Sequence, residues 1–285
     1  MNNIRKAAAN MAREWDEQKH PRDDDGKFAE KGGGSNTKAD SKLISEMPEK
    51  EKPIANTIIP SENIIMSERL TKAKTLDDLS SYVRDEWGVK TVNLDGVDVN
   101  AVKGTYGTME KIFNEYPELK GHITEIGMLK EGIMSIGMER NGDLKLFFNP
   151  YYYKDIDIVK ERYAKHVELR NFPKGTDWKN AGVHELGHIA HGVIAKKNYN
   201  DAWMASLDFE DHTTTKKIVD EAWKNIGKNY PKNTRPKNAR LAISGYAGDS
   251  YSETIAEAFS DVFSNGNSAQ PLSIEIVRLL KMGIR

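Results

Sequence analysis

No cysteine occurs in the 285 residues, and this absence removes disulfides, thiolate metal ligands and a cysteine nucleophile together. Any metal would have to be held by imidazole and carboxylate. No run of eighteen apolar residues occurs either, so nothing reads as a membrane-spanning helix. The start, MNNIRKAAAN, lacks the apolar core of a secretory signal. Neither charge sign is in excess: 42 Lys and Arg face 43 Asp and Glu, and no global field favours nucleic acid or an anionic surface. The expectation is a chain without a membrane partner and not exported by a signal peptide.

Apolar residues are also scarce at the N-terminal end. Residues 4–17 have the pattern of a short amphipathic helix, but 18–53 pass through Asp23-Asp24-Asp25-Gly26 and Gly32-Gly33-Gly34-Ser35 with almost nothing to bury. We read 1–53 as a flexible arm and 54–285 as the folded domain. Thr75 with Asp78 makes a capping box for a helix carrying Leu76, Leu79, Val83 and Trp87, with Gly88 placed to end it. A second helix is expected over 103–118, with Met109, Ile112, Phe113 and Tyr116 on one face. Three short strands follow over 122–128, 132–139 and 143–149, the last two joined by Asn141-Gly142. A two-residue turn there pairs Ile136 with Phe147 and Gly137 with Leu146, leaving apolar groups on both faces of the hairpin, one of which should meet the next helices. Helices are then expected over 152–169, from a cap at Thr176 or Asp177 onward, and over 201–228, 251–264 and 272–282. The order gives an α+β fold with a small antiparallel meander.

The feature that decides the chemistry is His184-Glu185-Leu186-Gly187-His188, set in an apolar, helix-compatible run. Four residues apart on a helix, His184 and His188 share a face and can share one cation, while Glu185 is turned roughly 100° away and can reach a water beside it. Zinc takes neutral imidazole nitrogens, and a catalytic site uses three protein ligands. Two ligands and a base are therefore in place. A third histidine six residues after His188 is ruled out because that position is Ile194, and the midway glycine such sites require is His191. The best remaining source is the segment 251–261, where Glu253, Glu257 and Asp261 recur at four-residue intervals on one helical face. One can bind the metal while a neighbour accepts a hydrogen bond from a ligand histidine; spacing does not say which.

The stretch from Tyr246 through Glu253 and Glu257 to Phe259 resembles the third-ligand segment of the anthrax lethal factor peptidase family, in which Glu-x-x-x-Glu-Ala-Phe begins the ligand helix and a Tyr lies seven residues earlier. The resemblance implies a zincin-like fold of the gluzincin type, Glu253 as third ligand of a zinc ion, Tyr246 as donor to the developing oxyanion and Glu257 as support for a ligand. It also implies that a strand ahead of the metal-binding helix, here 143–149 with Leu146, Phe147 and Phe148, holds a protein or peptide substrate as an added strand. The segment 189–245 is this chain's own. The run His20 to Phe28 is similar to linkers in phage head proteins, and the run from Tyr106 through Pro117 and Gly121 to the histidine pair is similar to a peptidase-like domain at the end of phage minor head proteins. That similarity implies phage head or portal proteins as partners and a place in the virion or the host cytoplasm. The alternatives are a virion interaction module without turnover, against which an intact Glu185 argues, and a delivered peptidase toxin.

His191 lies one turn past His188, and one helix does not aim three residues over two turns at one tetrahedral ion, so it reads as a structural residue or a support for a ligand. His20, His122, His166 and His212 have no partner spacing and read as packing or surface residues. Lys224, Lys228, Lys232, Arg235, Lys237 and Arg240 form a basic run that reads as a solvated loop rather than a nucleic-acid surface.

Overall fold

The computed structural model describes residues 66–285; the expected arm, its helix over 4–17 and the segment up to 65 lie outside the described residues. α1 (Glu68–Lys72) and α2 (Leu76–Trp87) come first. The capping box at α2 is present in both directions: Asp78 N donates to Thr75 Oγ1 and Thr75 N donates to Asp78 Oδ2. After the two-residue β1 (Thr91–Val92), α3 (Val99–Glu115) starts earlier and stops earlier than expected. Asp98 accepts from Asn100 N and Ala101 N and so starts it, and Pro117 forces the preceding residue out of helical conformation and so stops it. The predicted stripe of Met109, Ile112, Phe113 and Tyr116 is buried throughout.

The sheet departs from the expected meander. Its strands β2 (Ile123–Met128), β3 (Met134–Met138) and β4 (Leu144–Phe148) join β1 in the order β1-β2-β4-β3. β2 runs parallel to both β1 and β4, and only β3 and β4 are antiparallel, so the sheet is mixed. The hairpin register differs by one residue: Ile136 faces Leu146, and Gly137 faces Lys145. Gly142 is the cause. It sits at φ 82° as the last residue of a three-residue loop, with Gly142 N donating to Glu139 O and Glu139 N donating to Asp143 O, the turn-plus-bulge loop rather than the two-residue turn. The shift gathers the apolar groups other than Phe147 on one face. Leu144, Leu146 and Phe148 are fully buried opposite Met138, Ile136 and Met134, while Lys145 and Phe147 point the other way. The buried face meets the helix that follows, where Met138 and Leu144 pack over Gly192.

β4 is also internal to the sheet, with both edges paired. The expectation that Leu146, Phe147 and Phe148 form a substrate cradle is thereby corrected: an added strand needs unpaired N–H and C=O groups, and Leu146 and Phe148 belong to the core. Among the described residues, the unpaired edge on that side is β3.

Six longer helices and two short ones complete the described part of the domain: α4 (Pro150–Tyr153), α5 (Ile156–Glu168), α6 (Asn180–Asn198), α7 (Ala202–Asp211), α8 (Thr213–Ile226), α9 (Pro236–Ile243), α10 (Tyr251–Asn265) and α11 (Pro271–Ile284) follow in chain order. α6 begins later than a cap at Thr176 or Asp177 would give. Thr176 Oγ1 donates to Pro173 O, and Asp177 closes a separate turn by accepting from Lys179 N. The single helix expected over 201–228 is broken at His212, whose backbone adopts φ 58°. The basic run is not all loop, since α9 forms within it behind Pro236, whose fixed φ suits a first helical turn.

α6 and α10 cross in the interior at Gly187. A Cβ built there would lie 2.7 Å from Ala256 Cα and 3.1 Å from Phe259 Cβ, so the two backbones meet with no side chain between them. Gly187→Ala sets two effects against each other. Alanine favours a helix by about 1 kcal/mol, whereas overpacking against a backbone costs about 1–3 kcal/mol. We expect a net loss of about 1 kcal/mol or more with weakened metal uptake, read by urea unfolding and metal titration. An unchanged midpoint would show that the crossing relaxes freely.

Candidate metal centre

α6 and α10 each bring part of the site to this crossing. His184 and His188 stand one turn apart on α6, and Glu253 lies in the first turn of α10, where Ser250 caps the helix by accepting from Glu253 N. His184 Nε2 is 3.2 Å from His188 Nε2 and 3.2 Å from Glu253 Oε2, and His188 Nε2 is 3.6 Å from Glu253 Oε1. A tetrahedral ion with bonds of about 2.0–2.1 Å needs donors about 3.3 Å apart. The three residues therefore form a group that could hold a metal ion. It joins the two stretches that the sequence pointed to.

The other nitrogen of each ring is engaged by α10. His184 Nδ1 donates to Glu257 Oε1 at 2.7 Å, and His188 Nδ1 hydrogen-bonds Ser252 Oγ at 3.0 Å. Both Nε2 atoms are thus left for the shared point, which is how outer partners fix a ligand tautomer. Glu257 stands where the sequence expected a supporting carboxylate. Ser252 was not singled out; the signal was its place one residue before Glu253 on a helix whose faces both meet α6.

Burial and charge act on these groups in opposite senses. Burial, aided by the charges of His184, His191 and His212, lowers His188 to about 3, so it is held neutral. Burial also opposes protonation of His184, but Glu253 and Glu257 outweigh it and hold that ring well above its ordinary value. Burial would raise Glu253, yet the hydrogen bond and charge of His184 bring it down to about 2. Glu185, on the adjoining face of α6 and nearly inaccessible, is pushed up by burial to about 7, with His184 opposing. A carboxylate poised near neutrality suits proton transfer.

Tyr246 lies in a single 3₁₀ turn (Tyr246–Gly248) just ahead of α10. Burial and then the charge of Glu253 raise its phenol to about 12, so it stays protonated and able to donate. Its ring packs on Phe172 and His166, with centroids at 5.4 and 5.9 Å, and its N–H donates to Asn171 O. Arg240, read as part of a solvated run, is buried under this turn. Its Nε lies within hydrogen-bond reach of Ala247 O and Thr254 Oγ1 and its guanidinium also donates to Gly248 O, so it ties the tyrosine's turn to α10. Nothing in the sequence separates Arg240 from its exposed basic neighbours except its place on the inner face of a helix.

His166 gives the site's seat a pH dependence of its own. Burial, with the charges of Arg162 and Lys165, lowers it to about 4, against about 6.5 for a free histidine. The unfolded chain therefore takes up a proton that the folded chain refuses. Stability is fully present above about 6.5 and falls as pH drops toward 4, by up to about 3 kcal/mol. His166→Phe should flatten that part of the urea-midpoint profile; a parallel profile in the variant would show that the ring titrates freely.

The fold and the site define the protein as an α+β domain with a His-His-Glu group able to hold a metal ion. No family model matches the chain, and neither curated proteins nor solved structures yield a match. Among the described residues, no helix is long and apolar enough to cross a membrane.

Proposed function

We propose that the protein is a zinc-dependent endopeptidase of the gluzincin type, encoded by a phage or prophage and associated with the head. The observation that carries the reading is the set of spacings at His184, His188 and Glu253, which matches the edges of a tetrahedron about zinc, beside a buried carboxylate on the next residue. With no cysteine in the chain and two imidazoles in the set, zinc fits better than harder cations, which prefer all-oxygen sites. Bound there, zinc would acidify water and polarise a carbonyl.

The chain's own residues supply the rest. Glu185 takes a proton from the attacking water and returns it to the leaving amine. Tyr246 donates to the oxygen of the carbonyl as charge develops on it. The edge of β3, unpaired among the described residues and packed by its inner face on α6, offers main-chain groups to an extended peptide. The phage setting rests on the resemblances over 20–28 and 106–188 alone. The test is hydrolysis of unfolded casein and of phage head proteins by zinc-loaded protein. Activity lost to a chelator and restored by zinc supports the reading, and a zinc-replete protein that cleaves neither substrate opposes it.

A further inference from the structure

The first turn of α7 holds Trp203 and Met204 side by side in solvent, 41% and 45% exposed. Its place beside the metal-binding helix is fixed by contacts. His191, one turn past His188, is fully buried, with its ring stacked on Phe209 at 5.0 Å and its Nε2 3.3 Å from Asp208 Oδ1. Asp208 also accepts from Tyr199 OH at 3.0 Å and from Thr214 N at 3.1 Å. This buried joint pins α7 to α6, and the guanidinium of Arg140, 4.6 Å over the Trp203 ring, steadies the indole without hiding it.

The β3–β4 hairpin joins that patch to the metal centre. A Cβ at Gly192 would lie 2.8 Å from Met138 Cε and 3.1 Å from Leu144 Cδ1. At 3.6 residues per turn, Gly192 is rotated only about 20° from Glu185 and about 40° from His188, so the hairpin lies on the flank of α6 that carries the base. Beyond Met138 the hairpin loop reaches the start of α7, where a Cβ at Gly142 would lie 3.3 Å from Lys196 Cε and 3.4 Å from Ala202 Cβ. The eight residues from His188 to Lys196 rise about 12 Å, which an extended peptide covers in about four residues. β3 runs toward the loop, so a peptide paired to its edge in the antiparallel sense that sheets favour places its N-terminal side at Trp203.

We propose that Trp203, with Met204 beside it, determines specificity by taking a large apolar side chain about four residues before the scissile bond. This deepens the peptidase reading and rests on it. It gives a use to two adjacent exposed apolar side chains that no described element covers, at the end of the track that a substrate on β3 would follow.

The test uses the zinc-loaded full chain and two probes, acetyl-Phe-Ala-Ala-Ala-hydroxamate and acetyl-Ala-Ala-Ala-Ala-hydroxamate. The hydroxamate takes the metal and the first residue falls at the fourth position. Affinity, zinc per chain, Tm and mass by light scattering are read for the wild type, Trp203→Ala, Trp203→Leu and, as an exposed methionine on another helix, Met282→Ala. We expect one zinc in every protein and a Tm near that of the wild type. The wild type and Met282→Ala should bind the Phe probe about tenfold more tightly than the Ala probe. That preference should vanish in Trp203→Ala and shrink in Trp203→Leu, which reads the loss if Trp203→Ala does not fold. Equal affinity for both probes in the wild type overturns the proposal, and so does a preference that survives at full size in the Trp203 variants. A wild-type dimer that these substitutions turn into a monomer overturns it as well, by giving the patch to a second copy of the chain. A wild type that takes up no zinc sinks the site reading and this inference together. Zinc-loaded protein that prefers the Phe probe but leaves casein and head proteins intact removes the peptidase reading and leaves Trp203 as a ligand-selecting residue.

Discussion

Glu185→Gln is expected to retain one zinc per chain and to lose peptide hydrolysis by a factor of about 10²–10⁴, the range for removing a general base. The substitution keeps shape and removes only the ability to accept a proton. It leaves His184 and His188 untouched, because their orienting bonds go to Glu257 and Ser252 on another helix. The apparent pKa of Glu185, raised by burial to about 7, gives the sign of the pH effect. The carboxylate works as a base only when ionised, so kcat/KM should fall as pH drops through its pKa. A divalent cation nearby favours the ionised form, which moves that limb below 7 in the loaded protein. A variant that hydrolyses casein at the wild-type rate would remove Glu185 from the chemistry.

The second large effect is on the metal itself. His188→Ala should reduce zinc from one equivalent to near none at micromolar metal. Removing a supporting hydrogen bond costs about 10–100-fold in affinity, so Ser252→Ala is the graded comparison, and deletion of a ligand must exceed it. The ring is held neutral at all ordinary pH, so no competing proton masks the loss. Metal analysis after dialysis, with circular dichroism to show that the fold persists, decides the matter. Full zinc retention in His188→Ala would place the metal elsewhere.

What was legible in the sequence was local. The histidine pair needs only the 3.6-residue period to share a face, and the caps at Thr75 and the core stripe of α3 follow the same rule, so each stands in the structure. The pairing of α6 with α10 was reachable because both carried metal-ligand chemistry that only the other could complete. Strand pairing was not reachable, because whether β2 joins β3 or β4 depends on which partner the core brings alongside, and neither β2 nor β4 encodes that in its own alternation. The hairpin register depended on a single backbone angle at Gly142, and one residue of error moved every side chain to the other face. Ser252, Arg240 and His212 escaped for a related reason. A hydroxyl beside a ligand, an arginine within a basic run and a histidine inside a helical pattern look ordinary until the segment opposite is known.

The close crossing at Gly187 has a further bearing on how the centre comes into being. With backbone against backbone, and with Ser250, Ser252 and Glu257 holding the first turns of α10, the separation of the donors is fixed by the body of the protein rather than by the cation. Uptake of a metal ion would then be an act of docking into a ready-made socket, unlike the small domains whose chains collapse only around their metal. A cell could make such a protein first and arm it later.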